Sequence, residues 1–224
     1  ARREGRTYET GEQLLQRIVG IEEIRTNASK SSKSSEQGDC PEGWARTSIG
    51  RISEFSFYGP RFSSDAYSDK GVFVLRTTDI DESGRVDTST APRIDLDAKD
   101  LAKYRVAPGD LLVTRTGSLG RVALFEDKVD AIPGAYLIQI RLRLDEHSRK
   151  FLLMFLQSPE GQARLTGGGA GVGRQNLNAP TIAAIAFGLP PRAEQARIVA
   201  EVDRHLSIIR EVEAEVDANL QRAQ

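Results

Sequence analysis

The sequence is poor in the residues that staple or metallate small proteins. Its single cysteine, Cys40, excludes an internal disulfide. The two histidines, His147 and His205, lie too far apart in sequence to suggest a metal-ligand cluster, so no metal and no cofactor is expected. Long apolar runs are also missing: residues 151–156 fall far short of the roughly 20 residues that a membrane-spanning helix needs. The opening residues, Ala1-Arg2-Arg3-Glu4-Gly5-Arg6, are charged and no apolar core follows them, so no secretory signal is expected. A cytoplasmic, reducing environment is the default for such a chain. Bulk positive charge is absent too, with 31 Lys and Arg against 32 Asp and Glu, which argues against nonspecific coating of nucleic acid. Acidic residues disappear altogether between positions 161 and 193, where Arg164, Arg174 and Arg192 stand. Such a stretch can approach phosphate without self-repulsion, although a run of loops and apolar turns can also lack acids by chance.

What is present suffices for a folded domain: 39% of 224 residues are hydrophobic. The first forty residues read as a separate helical and linker piece. Leu14, Leu15, Ile18, Ile21 and Ile24 recur at helical spacing between residues 10 and 25, and Ser29-Lys30-Ser31-Ser32-Lys33-Ser34-Ser35 follows with a linker's composition. Pro41-Glu42-Gly43-Trp44 opens the globular part, residues 41–190. Val72-Phe73-Val74-Leu75 reads as a buried strand, and Asp97 as the cap of a helix over 98–104. Residues 111–114 and 122–125 form an expected hairpin around Thr116-Gly117-Ser118-Leu119-Gly120. Alternation of Tyr136, Ile138, Ile140, Leu142 and Leu144 with Gln139, Arg141 and Arg143 predicts a strand with one face exposed. A helix over 149–157 and another capped by Ser158 follow. The fold class expected is α+β, a twisted and mainly antiparallel sheet with flanking helices. Residues 191–224 then form one long helix of coiled-coil type. Its narrow apolar stripe, Val199, Val202, Leu206, Ile209, Val212, Val216 and Leu220, suits one partner helix, the alternative being a helix folded back on its own domain.

Signatures of catalysis fail on required residues. Gly168 to Gly173 has P-loop-like glycine spacing, but Arg174-Gln175 stands where Lys and Ser/Thr should hold phosphate and magnesium. Thr116-Gly117-Ser118-Leu119-Gly120 lacks the first glycine of a hydrolase nucleophile elbow. Leu189-Pro190-Pro191-Arg192 lacks the polar residue and the aromatic of an adenine-methyltransferase loop. A magnesium nuclease built on Asp110 with Glu126-Asp127-Lys128 is the better enzyme candidate, against an ordinary hairpin turn at Asp127-Lys128. What remains is a binding surface made of loops. Arg76, Arg115, Arg121 and Arg174 sit at strand ends or in Gly-rich loops, from which guanidinium groups can reach guanine edges or phosphates. Thr77, Thr78, Thr116, Gly117, Ser118, Gln175 and Asn176 lie beside them and can read bases, anchor phosphates or let the backbone come close.

The order of these segments resembles a target recognition domain from the specificity subunit of type I restriction–modification systems. The resemblance rests on Pro41-Glu42-Gly43-Trp44, on Val74-Leu75-Arg76-Thr77-Thr78-Asp79-Ile80, on Tyr104 through Pro108-Gly109-Asp110-Leu111-Leu112-Val113 to Arg115-Thr116-Gly117-Ser118-Leu119-Gly120-Arg121, and on Leu189-Pro190-Pro191 with Glu194-Gln195 and Ile198-Val199. It implies a non-catalytic subunit that binds double-stranded DNA by sequence and directs separate methyltransferase and restriction subunits. It also implies that the chain is the second recognition domain plus its distal helix, with Gly11 to Ile18 as the linker after a central helix. The Arg115 to Arg121 loop then belongs on the DNA face, with Arg174, Gln175 and Asn176 carried over by loop position alone. Residues 193–224 face other subunits, Val202, Leu206, Ile209, Val216 and Leu220 being the contact stripe, and self-association through it is open. A helical scaffold with no sequence preference, and the nuclease, are the competing readings.

Overall fold

The computed structural model describes residues 9–20, 40–167 and 176–222. The expected linker at Ser29 to Ser35, helical positions 21–25, the glycine run from Gly168 to Gly173, and Arg174 and Gln175 lie outside the described residues.

Helix α1 (Gly11–Val19) begins at a reciprocal cap, in which the Thr10 hydroxyl accepts from the Gln13 amide and the Gln13 side chain accepts from the Thr10 amide. Although the sequence sets this segment apart, Leu14, Leu15 and Val19 are buried in the main core and the Gly11 amide donates to the Gly43 carbonyl. The helix therefore packs as part of the globular body. Strand β1 (Ala45–Ser48) pairs antiparallel with β10 (Ala186–Leu189), which brings the two ends of the globular region together. A short helix, α2 (Ile49–Ile52), buries Ile49 and Ile52 and leads into β2 (Ser53–Tyr58).

The central sheet has the order β2-β9-β6-β7 and is antiparallel throughout, with β6 (Leu111–Thr114), β7 (Val122–Leu124) and β9 (Leu137–Leu142). Side chains alternate across it as strand geometry requires. Leu111, Val113, Val122, Leu124, Ile138, Ile140 and Leu142 face one cluster with α1, α2 and Phe151, Leu152 and Leu156 of α4 (Glu146–Gln157). Leu112, Ala123 and Leu137 face another, with Leu75, Ile80, Val106 and Phe125. A second sheet, β3-β5-β4-β8, adds a smaller cluster of Val72, Val74, Ile94 and Ile132. It comprises β3 (Tyr67–Ser68), β4 (Val72–Leu75), β5 (Arg93–Ile94) and β8 (Ala131–Pro133), and its β4–β8 pair is parallel.

Strand β9 departs from expectation. Its alternation predicts one exposed face, yet it lies between β2 and β6 with Gln139 fully buried. The polar face is covered because Asp110 arrives from the start of β6. Its carboxylate accepts from Gln139 Nε2 (2.5 Å), Arg141 Nε (2.9 Å), Arg141 Nη2 (2.8 Å) and the Ala107 amide (2.8 Å). The expected hairpin, β6 to β7, is present, as is α3 (Ala98–Tyr104) with the Asp97 carboxylate accepting from the Asp100 amide. Asp145 caps α4, which therefore starts three residues earlier than expected, and Ser158 caps α5 (Pro159–Thr166) with proline at its first turn.

After α6 (Ala179–Ala183) and β10, the chain enters α7 (Arg192–Arg222). Its root is pinned by an Arg192–Asp145 ion pair (3.2 Å), a Trp44 Nε1 bond to Glu194 (3.1 Å) and a buried Gln195 Nε2 bond to the Pro190 carbonyl (2.8 Å). Val199 is the last buried residue of the helix; Val202 is half-buried and every described residue beyond it is exposed.

Candidate nucleic-acid interface

Five segments meet along one edge of the two sheets, and main-chain hydrogen bonds tie them together. The Gly59 amide after β2 donates to the Leu137 carbonyl (3.2 Å), the Gly134 amide after β8 to Leu75 (2.8 Å), and the Arg115 amide after β6 to Tyr136 (3.0 Å). The Leu177 amide donates to the Arg115 carbonyl (3.1 Å) and the Ala179 amide to the Tyr58 hydroxyl (2.9 Å), which brings Asn176, exposed, to the same place.

The loop from Arg115 to Arg121 is shaped by Thr114. This fully buried hydroxyl bonds to the Ser118 carbonyl and accepts from the Arg121 amide (3.0 Å). Gly117 and Gly120 adopt φ of +74° and +81°, a region that side chains disfavour. No atom of the described residues lies within 4 Å of where a Gly117 side chain would begin. Thr116 and Ser118 are half-buried beside it.

The arginines divide by what holds them. Arg76 donates Nε (3.2 Å) and Nη2 (2.7 Å) to the buried Asp79 carboxylate and Nη2 also to the Thr90 carbonyl (2.8 Å). The bond to Asp79 raises its pKa above the ordinary value against the opposing effect of burial. Arg121 turns back on its own domain, donating to the Ile80 carbonyl (3.0 Å) and to Glu82 (3.1 Å). Arg115 differs: its guanidinium carbon lies 4.8 Å above the Tyr58 ring, and its Nε is buried without a hydrogen-bond partner among the described residues. Thr77 is half-buried, and Thr78 is exposed.

Four residues of this edge are absent from the expected site, and Tyr136, expected on the apolar face of β9, stands exposed just before that strand. Tyr58, Tyr67 and Tyr136 are exposed aromatics, and Arg61 Nη2 donates to the Tyr136 hydroxyl (3.3 Å). A cleft of about 480 Å³ opens here, walled by Arg61, Phe62, Tyr67, Thr77, Thr78 and Tyr136. Two sequence signals point there in retrospect: Gly59-Pro60 breaking the aromatic strand Phe55-Ser56-Phe57-Tyr58, and Gly134-Ala135 preceding Tyr136.

The nuclease constellation is not assembled. Both oxygens of Asp110 are engaged by protein donors, Asp127 is exposed with Thr88 as its hydrogen-bond partner (3.4 Å), and no group of three potential ligands suited to a metal exists among the described residues. On α7, Leu206, Ile209, Val216 and Leu220 stand uncovered, at 39% to 57% exposure. No described helix is long and apolar enough to cross a membrane.

Residues 41–221 match the family model for the type I restriction modification DNA specificity domain. The chain is 28% identical over 187 residues to the StySPI specificity subunit of a type I restriction enzyme from Salmonella potsdam, covering 80% of this chain and 40% of that protein. It is 27% identical over 189 residues to the EcoBI specificity subunit from Escherichia coli, covering 81% and 39%. The chain thus spans about two fifths of the length of the curated relatives it matches. Among solved structures, a chain from a study of complex assembly and conformational transition of the type I R-M system superposes with a TM-score of 0.63 at 20% identity, covering 94% of this chain and 54% of that one. The HsdS subunit from Thermoanaerobacter tengcongensis gives 0.58 at 21% identity, covering 95% and 51%. These two share the fold, sheets and long terminal helix included, and the family match extends over the edge with its loops and most of α7: the chain belongs to the type I restriction modification DNA specificity domain family.

Proposed function

We propose that this chain is a sequence-reading module for double-stranded DNA within a type I specificity subunit, and that it directs separate methyltransferase and restriction subunits without chemistry of its own. The observation that carries the reading is Arg115: an arginine stacked on Tyr58, with a buried unpaired Nε and no carboxylate partner among the described residues, at an edge where five segments converge. The Nη donors of this half-buried arginine, engaged by no described carboxylate, remain for a ligand. Guanine edges and phosphate oxygens both fit a guanidinium fork. Thr116, Gly117, Ser118 and Asn176 supply adjacent polar or close-approach contacts, whereas Arg76 and Arg121 shape the loops through Asp79, Ile80 and Glu82. Under the same reading α7 presents Val202, Leu206, Ile209, Val216 and Leu220 to another helix or subunit, and the protein works in the cytoplasm.

The test is binding of the 224-residue chain to duplex libraries at several salt concentrations. Sequence-selective, strongly salt-dependent binding is expected, and Arg115→Ala should weaken it by about 1–3 kcal/mol. Equal affinity for all duplexes would instead favour a scaffold. Exchanging residues 41–190 for those of another family member, within a complete subunit, should change the methylated sites in cells; an unchanged site map would sink the reading.

A further inference from the structure

We propose that Arg61, braced by Tyr136, is a second base-reading arginine of this edge and recognises guanine in the major groove. The inference rests on the edge being a DNA interface. Arg61 is exposed and, like Arg115, has no carboxylate partner among the described residues. Its one side-chain hydrogen bond among the described residues, Nη2 to the Tyr136 hydroxyl at 3.3 Å, uses one of five N–H donors. The remaining donors keep the planar fork that pairs with guanine O6 and N7.

The mounting is rigid where it matters. Gly59, two residues before Arg61, lies so close to the turn between β8 and β9 that a side chain there would begin 2.2 Å from the Pro133 and Gly134 carbonyl oxygens. The loop that carries Arg61 and the turn that carries Tyr136 are thereby locked to each other. A phosphate contact needs only nearby positive charge, whereas a paired bond to a base edge needs a fixed plane. The aromatic hydroxyl from a different loop helps to hold that plane. The cleft beside it offers the Thr77 and Thr78 hydroxyls with the Phe62 and Tyr67 rings, a mixed polar and apolar wall suited to the exposed edge of a base pair.

The experiment is selection of duplexes from a randomised pool by the whole chain and by Arg61→Gln, Arg61→Lys and Tyr136→Phe. Thermal unfolding serves as a folding control for each variant. Arg61→Gln should relax the preference for guanine at one base pair by about tenfold or more, with other positions kept. Arg61→Lys should not restore it, and Tyr136→Phe should relax the same position less. A 7-deazaguanine at that position should weaken the unsubstituted chain and leave Arg61→Gln unaffected. Uniform weakening across all sequences, with the salt slope smaller by about 0.9, would make Arg61 a phosphate contact and overturn the assignment. So would an unchanged motif. If the unsubstituted chain selects no motif, the DNA-interface reading itself fails, and Arg61's role with it.

Discussion

Replacing Asp110 by alanine removes the acceptor around which the polar face of β9 is organised, and its cost can be worked from the bonds lost. Three groups lose their partner: the Ala107 amide, Gln139 Nε2 and the Arg141 guanidinium. Breaking a buried ion pair by removing one partner costs about 3–5 kcal/mol. Arg141 keeps 31% of its side chain exposed, so water reaches part of the freed guanidinium and the lower end applies. Gln139 is fully buried and keeps only a 3.2 Å bond to the Arg105 carbonyl. We expect a loss of about 3–4 kcal/mol, a large share of the roughly 5–15 kcal/mol that stabilises a typical domain. Urea unfolding should show it as a lower midpoint at unchanged slope. Arg141→Met should also destabilise, by leaving the Asp110 charge buried, and the double variant should cost less than the sum of the two by about 2 kcal/mol. Below the unfolding range, Asp110→Ala should still select the DNA motif of the unsubstituted chain under the proposed function, because the Arg115–Arg121 loop lies at the other end of β6, roughly 13 Å away at strand rise. A loss under about 1 kcal/mol, or no coupling to Arg141, would refute the structural role.

Gly59→Ala should destabilise the candidate edge, because its methyl carbon cannot occupy space 2.2 Å from two carbonyl oxygens. The expected sign is a lower unfolding midpoint together with a weaker DNA motif; an unchanged midpoint would show that the loops can separate freely. Burial pushes the Asp145 carboxyl up, but the Ser148 amide with the Arg192 guanidinium outweighs it, so its pKa lies below the ordinary 3.8. Its stabilisation is therefore complete above that value and lost as pH falls through the lower, folded-state value. Asp145→Asn, which still caps α4, should remove this part of the acid-induced loss, and unfolding midpoints between pH 2 and 7 measure it. Deleting residues 208–222 should shift the melting temperature of the monomeric chain by no more than about 2 °C, since no described side chain beyond Val199 is buried. A large shift would mean that the stripe is covered in solution.

Some local signals were legible in the sequence. Asp97 and Ser158 each accept from an amide three residues on, and Val122 pairs with Val113 across a short turn, whereas the equivalent cap at Asp145 lies ahead of the expected helix start at Arg149. The exposure of β9 was not legible, because Gln139 Nε2 and the Arg141 guanidinium are met by a carboxylate 29 and 31 residues away. A polar residue on an alternating strand ordinarily faces water, and here a distant aspartate takes the place of water. The candidate edge divides likewise. Arg115 stood out from its glycine-rich loop. Arg61 and Tyr136, 75 residues apart, have no common local pattern and meet only through the sheet. Arg76 illustrates a third case. Its partner Asp79 was within sight in Arg76-Thr77-Thr78-Asp79, but spacing alone does not tell whether an arginine is offered outward or clamped.

The way α7 is rooted makes it a lever. Its 31 residues extend about 46 Å at helical rise, and the docked part ends about a quarter of the way along. A tilt of about 5° at the root would carry the far end through about 4 Å, the width of a side chain. Three contacts set that angle: Arg192 on Asp145, Trp44 on Glu194, and Gln195 on the Pro190 carbonyl. Asp145 begins α4 and Trp44 stands immediately before β1, so small displacements of the globular body reach the distal end magnified. A group held at that end would be displaced further than one held at the root.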